Sequence, residues 1–210
     1  MSLISPTSLV LWCLGAFLCG SIPFGLLLVK LAGKGDVREH GSGNIGATNV
    51  SRVGGKALGV VTLLLDIFKG FFPVFLAKQL GLGESVLSLL ALSAVLGHVF
   101  TPWLKFKGGK GVATALGVAL AFRAAMVLPA LGVFIVLLLA LRYVSLGSVM
   151  AAVALPLILV WKGATPLVLL LWADISLIVI IKHHENIRRL LKGTESPLWG
   201  AKKEATHVQG

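Results

Sequence analysis

The stretch HGSGNIGATNVSRVGGK, residues 40–56, decides between two very different folds. Gly41, Gly43 and Gly46 carry the spacing G-x-G-x-x-G, that of the turn that cradles a dinucleotide's pyrophosphate. Such a turn needs a strand before it, a helix directly after it and an acid about 20 positions on. Here the residues before it, CGSIPFGLLLVKLAG from 19 to 33, form a helical-length apolar run. The acid at the right distance, Asp66, sits inside the next apolar run, TLLLDIFKGFF from 62 to 72. The context excludes a dinucleotide site, and the apolar surroundings set the fold.

Those surroundings continue along the chain. Of 210 residues, 57% are apolar and 13% charged, and the mean hydropathy is +0.95. Soluble domains hold about 45–50% apolar and about 25% charged residues, so the solvent of this chain is lipid. Apolar runs lie at 7–30, 57–78, 84–102, 112–122, 124–141, 145–161 and 165–181. A span needs roughly 20 residues. The reading is an all-α polytopic integral membrane protein of about seven transmembrane helices. Run 112–122 is too short to cross alone, which leaves a count of five or six, with that piece re-entrant, as the alternative. The first run reads as a retained span, since no cation precedes it and no small-residue cleavage site follows. Cys13 and Cys19 fall on different faces of that helix and suit neither a bridge nor a metal.

Charge gives the orientation. With the N-terminus outside and the C-terminus cytoplasmic, 15 of the 19 Lys and Arg residues face the cytoplasm, as the positive-inside rule asks. Only Lys78, Arg123 and Lys162 lie outside, and Lys69 lies within a span. The net charge of +11 is spread over these connecting segments without interleaved aromatics, so anionic lipid and anionic substrates are the expected partners, and nucleic acid is not. Residues 1–192 read as one transmembrane catalytic domain, and 193–210 as a polar cytoplasmic tail.

Every polar, glycine-rich segment falls on the cytoplasmic side. In the opening stretch, glycines let backbone N–H groups converge on an anion, and Ser42, Asn44, Thr48 and Asn49 add donors. Arg52 adds a planar fork suited to phosphate. The second segment, TPWLKFKGGKGVATALG from 101 to 117, lacks the upstream glycine of a nucleotide-binding loop, and Gly111 stands where Ser or Thr should follow the lysine. What remains is Gly108, Gly109, Lys110 and Gly111 leading into a helix, a general phosphate cradle. Lys105 and Lys107 read as membrane-surface anchors. In RYVSLGS, 142–148, Ser145 and Ser148 sit near a helix start, where hydroxyls cap the helix or hold an anion. After the last run, KHHENIRRL places His183 and Asn186 on one helical face, with Glu185 between them. Adjacent histidines point apart and no cysteine or carboxylate set surrounds them, so no metal is expected, and no cofactor. Within the membrane, Asp66 and Lys69 are spaced for a structural pair, and His98 and Asp174 are ionisable groups at membrane depth or its edge.

Together, GSIPFG, GSGNIGATNVSRVGGK, GHVFTPWLKFKGGKGVAT, YVSLGS and HHENIRRL resemble the motifs of the bacterial acylphosphate-dependent glycerol-3-phosphate acyltransferases, from about residue 20 to 192. The resemblance implies transfer of an acyl group from acyl phosphate to the 1-hydroxyl of glycerol 3-phosphate, the first acylation of phospholipid biosynthesis. It also implies a multi-pass protein of the bacterial inner membrane with its site facing the cytoplasm. By motif position, Ser42, Arg52, Lys110, His183 and Asn186 correspond to binding and catalytic positions, with Ser42, Lys110 and His183 closest to the chemistry. Glu185 corresponds to a motif acid of structural role. The Gly108–Gly111 loop with Lys110, Ser42 and Ser148 is assigned to the acyl phosphate. Arg52, His183 and Asn186 are assigned to glycerol phosphate. Either His183 or the substrate's own phosphate takes the hydroxyl proton; the second is favoured, because a tethered acceptor needs no protein base. The H-x4-D pattern of thioester-using acyltransferases is absent, which favours acyl phosphate as donor. A transporter of organic phosphates is the rival class, but it would want midplane polar groups and paired repeats. The sequence leaves the oligomeric state open, and a monomer is compatible with it.

Overall fold

The computed structural model describes residues 4–199, apart from the Met126 side chain. Its regular elements are all helical: α1 (Pro6–Ser21), α2 (Phe24–Leu31), α3 (Ala47–Gly54), α4 (Lys56–Gln79), α5 (Glu84–Val99), α6 (Val112–Leu141), α7 (Val144–Trp161), α8 (Pro166–Lys182) and α9 (His184–Leu191). Single 3₁₀ turns stand at Val37–Glu39 and Pro102–Leu104. Each apolar run of the sequence is helical. By length and hydropathy, four units could cross a membrane: Pro6–Leu31, Lys56–Gln79, Glu84–Leu104 and Val144–Trp161. Pro166–Lys182 with His184–Leu191, bent by 56°, would make a fifth, and Val112–Ala125 and Val127–Leu141 are shorter apolar pieces.

The exterior is greasy: Val10, Leu64, Val136 and Leu157 are each more than half exposed. With no water to satisfy backbone groups in lipid, every helix break needs internal partners. The first unit breaks at Ile22–Pro23, where proline cannot donate. The freed Ser21 carbonyl accepts from Thr101 Oγ1 at 2.7 Å, and that of Ile22 accepts from Lys69 Nζ at 2.7 Å. Trp103 Nε1 donates to Ser21 Oγ at 2.8 Å, tying the loop after α5 to the same break. α6 breaks at Arg123 (φ −155°, ψ 99°), where Lys78 Nζ takes the carbonyls of Ala121 and Phe122 at 3.1 and 2.9 Å. Arg123 pairs there with Glu84. This polar end of the bundle lies away from the glycine-rich segments.

Close helix contact substitutes for the hydrophobic drive that lipid removes. α1 and α5 cross backbone to backbone. A Cβ on Gly20 would sit 2.0 Å from the Ala94 carbonyl oxygen, and one on Gly97 would sit 2.0 Å from that of Phe17. The main core gathers around Leu90, Ala91, Val95, Val118, Phe122 and Trp172, with the last two rings 5.3 Å apart. A second, small core of Leu26, Val29, Val37, Ile45, Val50 and Leu104 anchors the opening stretch to α2 and to the loop after α5. That mini-core carries the site.

Candidate active site

The opening stretch, read from sequence as a loop, contains helix α3, and its order comes from one residue. Buried Asn49 turns its NH₂ group toward the carbonyls of Val37, His40 and Asn44 at 2.9–3.0 Å, and its Oδ1 accepts from the Ser42 N–H at 2.9 Å. Asn49 therefore holds the loop's shape and has no donor left for an anion. The Asn44 side chain accepts from the Gly46 N–H at 2.8 Å and closes the turn into α3. The side chains of Ser42, which is exposed, and Thr48, in the first turn of α3, make no hydrogen bond among the described residues.

In the second segment the four backbone donors of Gly108–Gly111 divide into two kinds. Gly108 N–H is used on the Val99 carbonyl (3.0 Å), and Gly109 N–H on that of His98 (3.2 Å). Among the described residues, those of Lys110 and Gly111 are free, as are the first-turn donors of α6 behind them. The free backbone donors of this segment thus begin at Lys110. Its ammonium donates to Asn186 Oδ1 at 2.5 Å.

Asn186 hands the contact on. Its Nδ2 donates to Glu195 Oε1 at 2.6 Å, and the same oxygen accepts from Ser145 Oγ at 2.7 Å. Arg189 Nε donates to Glu195 Oε2 at 2.6 Å. Arg52 Nη2 reaches the Ser196 carbonyl at 3.4 Å. Segments far apart in the chain thus converge on one place: α3, the Lys110 loop, the start of α7, α9 and the residues after it.

Glu195, Ser196 and Arg189 had no role in the sequence reading, which set a polar tail from 193. The chain turns at Gly193, whose φ of 68° suits glycine, with Thr194 N–H on the Arg189 carbonyl at 2.9 Å. It then folds back until Leu198 N–H meets the Arg142 carbonyl at 2.8 Å. The signal was present in GTE, a helix-stopping glycine followed by a lone acid beside a basic site. The part of the tail from 200 to 210 lies outside the described residues.

The electrostatics follow from burial. Burial pushes the Lys110 ammonium down; Glu195 opposes this, Arg189 adds to it, and weaker pulls come from Glu185 and Arg52. Burial also raises Glu195, but the donors on Asn186, Ser145 and Arg189 outweigh it and hold the carboxyl below its ordinary value. His183, only 3% exposed, is lowered to about 4, by burial first and then by the Lys110 charge, against its bond to Val179. Its Nδ1 lies 2.7 Å from the Val179 carbonyl. A carbonyl can only accept, so Nδ1 carries the proton and Nε2 of the neutral ring presents a lone pair. Ser148 is buried and donates to the Val144 carbonyl one turn back at 2.7 Å. Glu185 is largely exposed and faces Arg189 at 3.9 Å. Among the described residues no group of three or more His, Cys, Asp or Glu could hold a metal.

The sequence profile described as glycerol-3-phosphate acyltransferase matches residues 10–193. The glycerol-3-phosphate acyltransferase of Trichlorobacter lovleyi is 54% identical over 190 residues, covering 90% of this chain and 97% of the relative. That of Geobacter sulfurreducens is 51% identical over 181 residues, covering 86% and 93%. The fold matches the crystal structure of PlsY (YgiH), an integral membrane glycerol 3-phosphate acyltransferase, in its glycerol 3-phosphate form. The TM-score is 0.87 at 43% identity, over 92% of this chain and 96% of that one. The lysophosphatidic acid form gives a TM-score of 0.83, over 90% and 95%. The chain is a membrane acyltransferase and belongs to the glycerol-3-phosphate acyltransferase family.

Proposed function

We propose that this chain moves an acyl group from acyl phosphate to the 1-hydroxyl of glycerol 3-phosphate, giving 1-acylglycerol 3-phosphate and phosphate. The observation that carries the reading is the convergence of Asn186, Ser145 and Arg189 on one carboxylate, with Lys110 joined to it through the Asn186 amide and Arg52 at its edge. A carboxylate so held marks a seat built for negative charge. Both substrates carry phosphate, so donors from several turns are needed rather than one loop. Lys110, the free N–H groups at the start of α6 and Ser42 serve the acyl phosphate, with Ser148 after rotation of its hydroxyl. Arg52, His183 and Asn186 serve glycerol phosphate, and Asn44 and Thr48 shape the wall beside them. The family's relatives and the glycerol 3-phosphate form of the matched structure support the acceptor. The donor rests on the missing H-x4-D pattern.

The hydroxyl oxygen attacks the acyl carbonyl carbon as the bond from that carbon to the phosphate oxygen breaks, and the phosphate leaves with the electron pair. Alignment and stabilisation of the developing oxyanion are the main demands. Lys110 supplies the positive charge. The proton passes to the acceptor's own phosphate, while neutral His183, whose Nε2 can only accept, takes a hydrogen bond from the neighbouring 2-hydroxyl and so orients the acceptor. In the membrane, the chain makes seven spans, N-terminus out and C-terminus in, with the site at the cytoplasmic face of the bacterial inner membrane. The gathering of Lys78, Glu84 and Arg123 at one end and the phosphate seat at the other supports that sidedness.

The test is the purified protein in detergent or lipid, given acyl phosphate and glycerol 3-phosphate. Lysophosphatidate and phosphate should appear one for one, and acyl-CoA should not replace the donor. Product from acyl-CoA alone would overturn the donor assignment, and no product from either donor would overturn the activity.

A further inference from the structure

A second polar cluster lies beneath the Lys110 loop, and the reaction as drawn does not use it. Asp66 and Lys69 of α4 and His98 of α5 are each 2–3% exposed. Lys69 Nζ stands 2.7 Å from Asp66 Oδ1 and donates to the Ile22 carbonyl at the α1–α2 break. His98 Nδ1 faces the same Asp66 oxygen at 3.9 Å.

The opposite edge of the His98 ring faces the loop. A Cβ on Gly109 would lie 2.2 Å from Nε2, 2.9 Å from Cε1 and 3.2 Å from Cδ2, so its three nearest neighbours are all atoms of this one ring. The backbone repeats the connection, since Gly109 N–H is used on the His98 carbonyl and Gly108 N–H on that of Val99. Gly109 therefore rests on the imidazole, and the next residue is Lys110. An apolar side chain would fill the same volume without burying ring nitrogens, which is unfavourable in lipid surroundings. Packing alone does not explain a histidine here.

We propose that His98 is a positioning residue for acyl transfer: with one edge turned toward the Asp66–Lys69 pair, its ring packs under Gly109 and so aims Lys110 at the phosphate. This rests on reading Lys110 as a phosphate ligand. Asp66 acts one step further back, through His98.

The experiment measures kcat and KM for lysophosphatidate formation, with melting temperature, for wild type, His98→Ala, Gly109→Ala, Lys110→Ala and the doubles His98→Ala/Gly109→Ala and His98→Ala/Lys110→Ala. Leu90→Ala, a fully buried core position of α5, controls for lost stability. His98→Ala should lower kcat/KM on the order of 10- to 100-fold, the scale of an ångström-sized misplacement, mainly by raising the KM of one substrate. On the assignment above that substrate is acyl phosphate. Leu90→Ala should leave both KM values unchanged. His98→Ala/Lys110→Ala should be no worse than Lys110→Ala, because residues acting through one another do not add. Gly109→Ala should fail beside the native ring and recover to the His98→Ala level once the ring is removed. Unchanged kinetics in His98→Ala, full additivity with Lys110→Ala, or a Gly109→Ala variant that His98→Ala does not rescue would each overturn the proposal. If His98→Ala does not accumulate, His98→Asn carries the same expectations. A wild type that forms no lysophosphatidate would sink the functional reading instead.

Discussion

Lys110 and Asn186, 76 positions apart, meet through a 2.5 Å hydrogen bond in which the amide oxygen accepts from the ammonium. The same amide donates to Glu195, so one side chain relays between a cation and a carboxylate. Replacing Lys110 with Met keeps most of the length and removes the charge. The expected loss in rate is on the order of 10²–10³-fold, the cost of removing one stabilising group from a developing oxyanion. Lys110→Arg should not restore it, because the planar fork cannot occupy the space of a point charge. Initial rates of lysophosphatidate formation decide both.

Glu195, with its side chain 9% exposed, holds Asn186, Ser145 and Arg189 together. Glu195→Ala should lower stability by about 2 kcal/mol, the usual worth of hydrogen bonds to a charged group, and activity with it. The folded-state pKa is depressed, so this stability is present above the unfolded value of about 4.3 and is lost as pH falls through the lower folded value. Thermal melts of wild type below pH 4.5 should steepen, and Glu195→Gln should flatten that limb.

His183 should stay neutral in the ligand-free enzyme down to about pH 4. Ring-nitrogen NMR in detergent should show Nδ1 protonated and Nε2 bare throughout the neutral range. Because the folded value lies below the ordinary 6.5, the stability tied to this ring is complete above 6.5 and declines as pH falls toward 4. His183→Ala should retain residual turnover with a raised KM for glycerol 3-phosphate if the substrate phosphate is the base. Complete loss of kcat would make the ring itself the base.

The α1–α5 crossing should tolerate no added atom. Gly97→Ala drives its methyl into the Phe17 carbonyl, a backbone atom that no rotamer change can move. A destabilisation of about 1–3 kcal/mol is expected from this overpacking. Gly15→Ala, with nothing within 4 Å of the new methyl, should leave the melting temperature where it was.

Sequence and structure agree where hydropathy or a charged side chain carries the information. The apolar runs became helices, the accidental G-x-G-x-x-G was excluded by its neighbours, and Lys110 and Asn186 came together. They differ where one polar atom must choose among partners. Asn49 looked like an extra anion donor, yet its NH₂ group is committed to loop carbonyls, and Asn44 spends its amide oxygen on a backbone N–H. Gly108 and Gly109 looked equivalent to Gly111, but helix α5 ends where its last carbonyls claim their N–H groups. Such choices depend on distances of a few ångströms across the fold, and spacing along the chain does not encode them. Glu195 was invisible for another reason. Its partners lie on α7 and α9, and only the turn at Gly193 brings it back to them.

That turn also sets an order of assembly. Arg52, Lys110 and Ser145 leave the ribosome well before the carboxylate that joins their neighbourhood, so a nascent chain halted short of Gly193 lacks the group that Asn186, Ser145 and Arg189 share. The contacts among α7, α9 and Glu195 close together, once that turn is made. A protease cutting just behind α9 would detach that carboxylate while leaving helices α1 to α9 uncut.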